Sequence, residues 1–327
     1  MISQPTDVAV TAHARLHLGF LDLDGGLGRR FGGLGLGLER PVTRLRLSRA
    51  AELAVEGPEA ERAEAHLLSL CEAHDRAPRF HLTVEEAIPA HAGLGSGTQL
   101  ALAVGKAFAV MENVPLTAAA IAARLSRGMR SGIGIGTFDH GGLLLDGGRG
   151  PATVVPPMLG RIAFPEDWRV LMILDPSARG VHGPEEKRAF QTLPPFPAST
   201  AAHLCRLTLM RALPAVAEAD LPNFGAAIEE IQAVMGRHFA PAQGGSPYTS
   251  GRVASVLTWL QAQGVRGVGQ SSWGPTGFAF FPDETAACDV MEALQRTGLA
   301  GTLTLAINKA RNQGADIQIG RPDNKVA

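Results

Sequence analysis

Cysteine is scarce in this sequence: Cys71, Cys205 and Cys288 are the only three among 327 residues. They lie far apart, so they show neither the pairing of a disulfide framework nor the short spacing of a zinc site. Lysine is also scarce, with 4 residues against 26 arginines, an imbalance that we attribute mostly to codon bias. The scarcity and wide spacing of the cysteines lead us to expect a protein of the reducing cytoplasm.

Long apolar runs and an excess of one charge are absent as well. No window approaches the roughly eighteen uninterrupted apolar residues of a membrane-spanning helix, and the first residues lack the pattern of a signal peptide. The formal net charge of -1 gives no indication of nucleic acid or a membrane surface as a partner. With 45% hydrophobic and 19% charged residues, the composition predicts a globular enzyme that is neither secreted nor membrane-spanning.

The length of the chain is enough for two domains with full cores. Prolines break up residues 151–165, so we place the boundary near residue 165 and expect domains at 1–165 and 166–327. Predicted strands and helices are mixed in both halves. This arrangement predicts an α+β fold.

The most informative stretch is IPAHAGLGSGTQLALAVGKAF, residues 88–108. Leu100, Val104 and Phe108 are spaced four apart, which predicts a buried helix directly after the glycines. A helix start has unpaired N–H groups and a favourable dipole, so it can bind phosphate. The residues expected to form this phosphate site are Gly93, Gly95, Ser96, Gly97, Thr98 and Gln99. A glycine turn with a Ser or Thr N-cap is the alternative interpretation.

Residues 8–20 alternate between apolar and polar side chains and predict a half-buried strand. His13, Arg15 and His17 are two residues apart and therefore share one face of that strand. A cationic, titratable face suits an anionic ligand, and a solvated strand face explains this stretch equally well.

Further polar side chains lie in three other glycine-rich segments, residues 19–38, 127–148 and 269–277. Such segments either fold back tightly or approach a ligand closely. The candidate residues are Arg29 and Arg30 in the first segment, Arg127, Arg130, Ser131 and Asp139 in the second, and Gln270, Ser271, Ser272, Trp273 and Gly274 in the third. Arginines, a serine and an aspartate together suit a site better than a turn.

Three of these stretches, ARLHLGF, PAHAGLGSGTQ and GQSSWGPTG, have the order and spacing of the three motifs of the GHMP kinase superfamily. The sequence resembles that superfamily over nearly its whole length. It departs from the kinases in two places: Gly97 replaces the second serine of their usual GLGSS, and RGMRSGIGIGTF replaces the stretch that normally supplies their catalytic aspartate. With GFLDLDGGLGRRFGG, GIGIGTFDHGG and QGGSPYTS included, the resemblance is greatest to the beta-ribofuranosylaminobenzene 5'-phosphate synthases of the superfamily.

This resemblance implies a ribosomal-S5-domain-2-like N-terminal domain, a ferredoxin-like C-terminal domain, dependence on magnesium and a homodimer. It also implies a reaction of tetrahydromethanopterin biosynthesis, in which phosphoribosyl pyrophosphate is joined to 4-aminobenzoate and carbon dioxide and pyrophosphate are released. For that reaction we expect Asp139, Arg15 and His17 to be catalytic. Arg29 and Arg30 are expected to bind pyrophosphate with the glycine loop, and Ser96 to bind the metal.

The aromatic carboxylate needs fixed, always-charged donors, so Arg127 and Arg130, with Ser131, are its candidates. An ATP-dependent small-molecule kinase is the second interpretation, with the loop around ATP and Asp139 as the base. A catalytically silent binding protein is the third interpretation. The intact polar residues of the glycine-rich segments argue against it.

Overall fold

The two longest strands, β1 (Asp7–Asp22) and β2 (Phe31–Arg49), pair antiparallel and form the middle of a seven-stranded sheet. The computed structural model describes residues 5–180 and 183–320. The apolar positions of β1 from Val8 to Leu18 are buried, as the alternation predicts. His13 and His17 are also buried, at 5% and 3% exposure, so the polar face of this strand is not a solvated one.

The first sheet has the order β11-β1-β2-β4-β3, with β5 paired to β2 and β6 paired to β5. Its other strands are β3 (Ala54–Glu56), β4 (Phe80–Glu86), β5 (Leu143–Asp146), β6 (Met158–Ile162) and β11 (Asp316–Gly320). The helices of this half are α1 (Ala60–Ala73), α2 (Ser96–Met111), α3 (Ala118–Arg124) and α4 (Ile133–Asp139). Helix α2 is buried along most of its length, which confirms the helix predicted after the glycine loop.

The second sheet consists of β7 (Arg169–Leu174), β8 (Gly269–Gln270), β9 (Thr276–Phe281) and β10 (Thr304–Asn308). Its order is β10-β7-β9-β8 and every neighbouring pair is antiparallel. Numbered by appearance in the chain, the strands therefore lie in the order 4-1-3-2 of a ferredoxin-like sheet, as expected. The α+β fold is confirmed.

The remaining helices are α5 (Gly183–Thr192), α6 (Ala198–Leu207), α7 (Leu213–Ala217), α8 (Leu221–Phe239), α9 (Gly251–Ala262) and α10 (Glu284–Thr297). A π-helical turn, Thr208–Ala212, joins α6 to α7. Within the described ranges, no helix is both long and apolar enough to cross a bilayer.

One hydrophobic core contains residues from both halves of the chain, including Leu16 and Leu18 of β1 and Phe224 and Ile228 of α8. The boundary near residue 165 lies between β6 and β7, and it stays a prediction. Strand β11 pairs with β1, so it belongs to the first sheet although it lies in the second half of the chain.

Candidate active site

The loop before α2 has the backbone shape that its glycines predict. Gly93 and Gly95 have φ angles of 80° and 84°, in the left-handed region, and Gly95 is the N-cap residue of α2. A Cβ atom on Gly93 would lie 2.3 Å from the carbonyl oxygen of Ser271. Position 93 therefore requires glycine for its conformation and for its close contact with the third motif.

The three motif segments meet at this loop. Ser271 donates a hydrogen bond from Oγ to the Gly93 carbonyl at 2.7 Å and accepts one from the His17 N–H at 3.0 Å. The Arg15 N–H donates to the Leu94 carbonyl at 3.1 Å. Strand β1, the glycine loop and the 270–274 segment thus form one continuous surface, although they are far apart in sequence.

Arg15 supplies a positive charge beside the start of α2. Its guanidinium donates to the Gly93 carbonyl at 2.5 Å, and its Nε lies 3.3 Å from where a Cβ on Gly95 would be. Burial lowers the pKa of Arg15 to about 10, against an opposing effect of Glu186. Arg15 therefore keeps its charge at neutral pH, next to the positive end of the helix dipole.

Two further guanidinium groups lie over Gly97. A Cβ on Gly97 would be 2.7 Å from Nη2 of Arg62 and 3.3 Å from Nη1 of Arg127. The sequence analysis identified Arg127 but missed Arg62, because a charged residue on an amphipathic helix is typical of a solvated face. The glycine that departs from the kinase motif is thus the residue against which two arginines pack.

His17 lies in a second polar cluster, around Gly33. A Cβ on Gly33 would be 2.8 Å from Oδ2 of Asp146, 3.1 Å from Oγ of Ser131 and 3.2 Å from Nε2 of His17. That Nε2 atom is buried without a hydrogen-bond partner. Burial, and secondly the charge of Arg15, lower the pKa of His17 to about 3, so the imidazole is neutral at physiological pH.

Asp146 is a site residue that the sequence analysis missed. The carboxylate is buried and accepts hydrogen bonds from Ser131 Oγ at 2.8 Å and from the N–H groups of Gly132 and Gly148, both at 2.9 Å. Burial raises the pKa of Asp146, and these hydrogen bonds act in the opposite direction. Asp146 anchors the segment that follows Arg130, including Ser131.

An aromatic cluster adjoins His17. A β-bulge between His17 and Gly19 turns Phe20 toward the His17 ring, and the two ring centroids are 4.5 Å apart. The other members are Phe31, Phe190, Phe239 and Trp273. The ring centroids of Phe239 and Trp273 are 4.3 Å apart. The third motif thus contributes an aromatic ring, Trp273, as well as the contact of Ser271 with the loop.

Arg130 lies at this aromatic cluster and not at the glycine loop. Its guanidinium is 5.1 Å from the centroid of Phe190, a cation–π contact, and it bonds Oε2 of Glu186 at 2.5 Å. The two arginines proposed together for the carboxylate therefore lie in different places, with Arg127 over α2 and Arg130 beside the aromatic rings.

Arg29 and Arg30 lie at the turn between β1 and β2. Arg29 donates to the carbonyls of Gly147 and Gly148, both at 2.9 Å, and Arg30 donates to the carbonyl of Leu23 at 2.8 Å. The hydrogen bonds of Arg29 join the turn to the chain after β5, while that of Arg30 stays within the turn. The pyrophosphate role expected for these arginines stays a prediction, since their bonds are to backbone away from α2.

Asp139 lies away from the glycine loop. It is an exposed residue at the C-terminal end of α4. Desolvation of its carboxylate raises the pKa of Asp139, and the charges of His140 and Lys106 act in the opposite direction. Lys106 is ten residues beyond Ser96 in α2, or about 15 Å along the helix axis. The catalytic role expected for Asp139 stays a prediction, since its carboxylate lies apart from the polar groups at the start of α2.

The remaining predicted residues hold the elements of the site together. Gln99 is fully buried and donates to the Gly134 carbonyl of α4 at 2.8 Å, so its amide faces the protein interior. Gln270 bonds Gln243 at 3.0 Å and accepts from the Thr249 N–H at 2.6 Å. The other members, Ser96, Thr98, Ser272 and Gly274, lie at the start of α2 and in the facing 270–274 segment.

The fold and the loop define the class of protein. Residues 61–142 match the model of the GHMP kinases N terminal domain, and residues 212–300 match that of the GHMP kinases C terminal. The solved structure of mevalonate diphosphate decarboxylase from Staphylococcus aureus is similar with a TM-score of 0.64, at 14% identity, over 96% of this chain and 98% of that one. The solved structure of homoserine kinase from Cytophaga hutchinsonii is similar with a TM-score of 0.62, at 15% identity, over 96% of this chain and 98% of that one.

Curated relatives narrow the family further. Beta-ribofuranosylphenol 5'-phosphate synthase of Archaeoglobus fulgidus is 32% identical over 94% of this chain and 98% of its own length. The protein of the same name from Methanothermobacter thermautotrophicus is 30% identical over 94% of this chain and 98% of its own length. The chain belongs to this synthase family within the GHMP superfamily, and it is an enzyme.

Proposed function

We propose that the protein joins phosphoribosyl pyrophosphate to a benzoate with an electron-donating para substituent and releases carbon dioxide and pyrophosphate. The observation that carries this proposal is the position of β1. Arg15 of this strand faces the glycine loop at the start of α2, while Phe20 faces the aromatic cluster. An anion site and an aromatic surface therefore adjoin, as a phosphorylated sugar and an aromatic acid require.

The anion site serves the departure of pyrophosphate. The bond between C1 of the ribose and the pyrophosphate oxygen breaks with its electron pair on oxygen, and C1 acquires the character of an oxocarbenium ion. Fixed positive groups that face the leaving oxygens lower the barrier to this step. The start of α2 and the Arg15 guanidinium supply such groups in a partly buried setting.

The aromatic acid supplies the electrons for the new bond. The ring carbon that bears the carboxylate attacks C1, and the C–C bond to the carboxylate then breaks and returns its electrons to the ring as carbon dioxide leaves. No ring proton has to be removed, so the reaction needs no strong base. A neutral His17 at the junction is compatible with this requirement.

Arg130 is the arginine that best fits the aromatic carboxylate, because it lies against the aromatic cluster through Phe190. The para substituent has to donate electrons toward the attacking carbon, and an amino or a hydroxyl group does so. The amino group corresponds to 4-aminobenzoate, the substrate implied by the sequence resemblance. The name of the relatives refers to a phenol, which corresponds to the 4-hydroxy acid.

Magnesium, a homodimer, the cytoplasm and tetrahydromethanopterin biosynthesis are parts of the same proposal. Within the described ranges, no group of three or more His, Cys, Asp or Glu side chains could hold a resident metal ion. A Mg²⁺ ion bound to pyrophosphate oxygens usually keeps several waters and therefore needs few ligands from the protein. The Ser96 hydroxyl at the first turn of α2 is the oxygen that fits this role, and the metal would neutralise charge on the leaving pyrophosphate.

The test is release of labelled carbon dioxide from carboxyl-labelled 4-aminobenzoate or 4-hydroxybenzoate, with phosphoribosyl pyrophosphate and magnesium. We expect release that depends on the phosphoribosyl donor, and competition between the two acids shows which one the enzyme prefers. A control with ATP and no phosphoribosyl donor should give none. Absence of release from both acids, together with ADP formation on a small alcohol, would replace this proposal by the kinase.

A further inference from the structure

Two positive side chains over Gly97 have too few negative partners. Arg62 of α1 pairs with Glu59 at 2.6 Å. Arg127 follows α3, and its Nε atom is buried without a hydrogen-bond partner. Buried polar atoms are nearly always bonded, so an unpartnered guanidinium nitrogen next to another guanidinium is suited to bind an anion.

His66 extends this pair into a cluster. It lies one helical turn beyond Arg62 on α1, on the same face, and its Nε2 atom is also buried without a partner. Burial, then the charges of Arg127 and Arg62, lower the pKa of His66 to about 4, which keeps the imidazole neutral at physiological pH. Burial and the charge of Arg62 likewise lower the pKa of Arg127.

We propose that Arg62, His66 and Arg127 form a second anion subsite, which binds the 5'-phosphate of the ribosyl substrate. This proposal rests on the proposed function. The substrate carries anionic groups at both ends of the sugar, and the chain has cationic groups at both Gly95 and Gly97. A terminal phosphate accepts several hydrogen bonds, and two guanidinium groups and a neutral imidazole N–H can donate them.

The position of the aromatic cluster indicates which of the two anion subsites binds the pyrophosphate and which binds the 5'-phosphate. Bond formation takes place at C1, so the pyrophosphate on C1 has to be near the aromatic acid. Arg15 is two residues from His17, whose ring contacts Phe20 of the aromatic cluster. Arg62 and His66 belong to α1, which contributes no ring to that cluster. The 5'-phosphate therefore lies on the side of α1, and the pyrophosphate lies at Arg15.

The same arrangement explains Gly97. A Cβ atom at this position would lie 2.7 Å from Nη2 of Arg62 and 3.3 Å from Nη1 of Arg127, so these guanidinium groups would have to move from their positions over Gly97. A glycine at the second position after the N-cap keeps space for both guanidinium groups. The departure from the serine of the kinases therefore goes together with the subsite.

The experiment measures the binding of two fragments, ribose 5-phosphate and inorganic pyrophosphate with magnesium, by calorimetry. We compare Arg62→Gln, His66→Gln and Arg15→Gln with Arg76→Gln, a control at a surface arginine that pairs with Glu112. Losing one charge-assisted bond weakens binding by about tenfold to a hundredfold. Arg62→Gln should weaken the binding of ribose 5-phosphate by this amount and change the binding of pyrophosphate by less than about twofold. Arg15→Gln should weaken the binding of pyrophosphate and leave that of ribose 5-phosphate nearly unchanged.

Loss of pyrophosphate binding in Arg62→Gln, or ribose 5-phosphate binding that none of the α1 variants affects, would overturn the assignment. So would a wild-type protein that binds no ribose 5-phosphate. Thermal unfolding of each variant confirms that the protein is folded. Release of carbon dioxide tests the proposed function separately: without it, Arg62-dependent binding of ribose 5-phosphate would keep the subsite while the synthase reaction fails.

Discussion

Arg130 is held by Glu186 of α5 at 2.5 Å while its guanidinium lies 5.1 Å from the Phe190 ring. Glu186 thus already binds the guanidinium that we propose for the carboxylate of the aromatic acid. Under that proposal, the ligand carboxylate must compete with Glu186. The charge of Glu186 also raises the pKa of Arg15, against the larger lowering effect of burial.

Replacing Glu186 by glutamine should therefore make Arg130 easier to reach. The ion pair becomes a hydrogen bond from the charged guanidinium to a neutral amide, and we expect the KM of the aromatic acid to fall by about tenfold. Steady-state kinetics with the acid varied at saturating phosphoribosyl pyrophosphate measure this change. A rise in that KM would mean that Glu186 helps to bind the substrate instead of competing with it.

Replacing Arg130 itself should affect one substrate only. For Arg130→Gln, loss of a charge-assisted hydrogen bond raises the KM of the aromatic acid by about tenfold to a hundredfold and leaves that of phosphoribosyl pyrophosphate unchanged. Arg149→Gln is the control, since Arg149 is a neighbouring arginine whose side chain donates to the Met129 carbonyl. Equal effects of Arg130→Gln on both substrates would contradict the assignment of Arg130 to the carboxylate.

Periodicity was sufficient to predict β1 and α2, because apolar spacing in each segment reports directly on its buried face. The ferredoxin-like sheet was expected from the family resemblance and not from periodicity. The site was harder to predict. Arg62 and His66 lie on a helix whose charges match an ordinary solvated surface, and only the folded structure shows that Arg62 faces Gly97 and that His66 lies near Arg62 and Arg127. Asp146 and Asp139 lie at the ends of adjoining elements, and nothing in their spacing indicates which one is buried.

The neutral state of His17 predicts how stability depends on pH. Because the pKa is about 3 in the folded protein and about 6.5 when unfolded, the unfolded chain binds a proton that the folded one does not as pH falls below 6.5. Protonation of His17 in the unfolded chain should therefore lower the unfolding free energy by roughly 2 kcal/mol between pH 7 and pH 5. The unfolding free energy should continue to fall until the pH approaches the pKa of His17 in the folded protein, about 3.

Urea unfolding of wild type and His17→Asn at pH 7 and pH 5 measures this contribution. Asparagine cannot titrate, so the loss between the two pH values should be smaller in the variant by about the same 2 kcal/mol. His66→Asn is the companion variant, since the pKa of His66 is lowered to about 4 by burial, Arg127 and Arg62. An identical loss in wild type and His17→Asn would show that the pKa of His17 is the same in the folded and the unfolded protein.

The last prediction concerns the two carboxylates. Asp146 is 1% exposed and accepts hydrogen bonds from Ser131, Gly132 and Gly148, whereas Asp139 is exposed near Lys106. An amide at position 146 would turn an NH₂ group toward at least one of these donors and leave it unsatisfied. Asp146→Asn should therefore lower the unfolding free energy by about 1 to 3 kcal/mol and reduce kcat/KM, since Ser131 and the neighbouring Arg130 lose their anchor.

Asp139→Asn is the matched comparison, with the same change of a carboxylate to an amide. We expect its kcat/KM for labelled carbon dioxide release to stay within about twofold of wild type, because no substrate group has to be deprotonated at that position. In a kinase, a base that accepts the hydroxyl proton contributes about 10²- to 10⁴-fold to the rate. A nearly inactive Asp139→Asn with normal stability would therefore assign the catalytic base to Asp139 and favour the kinase mechanism over the synthase.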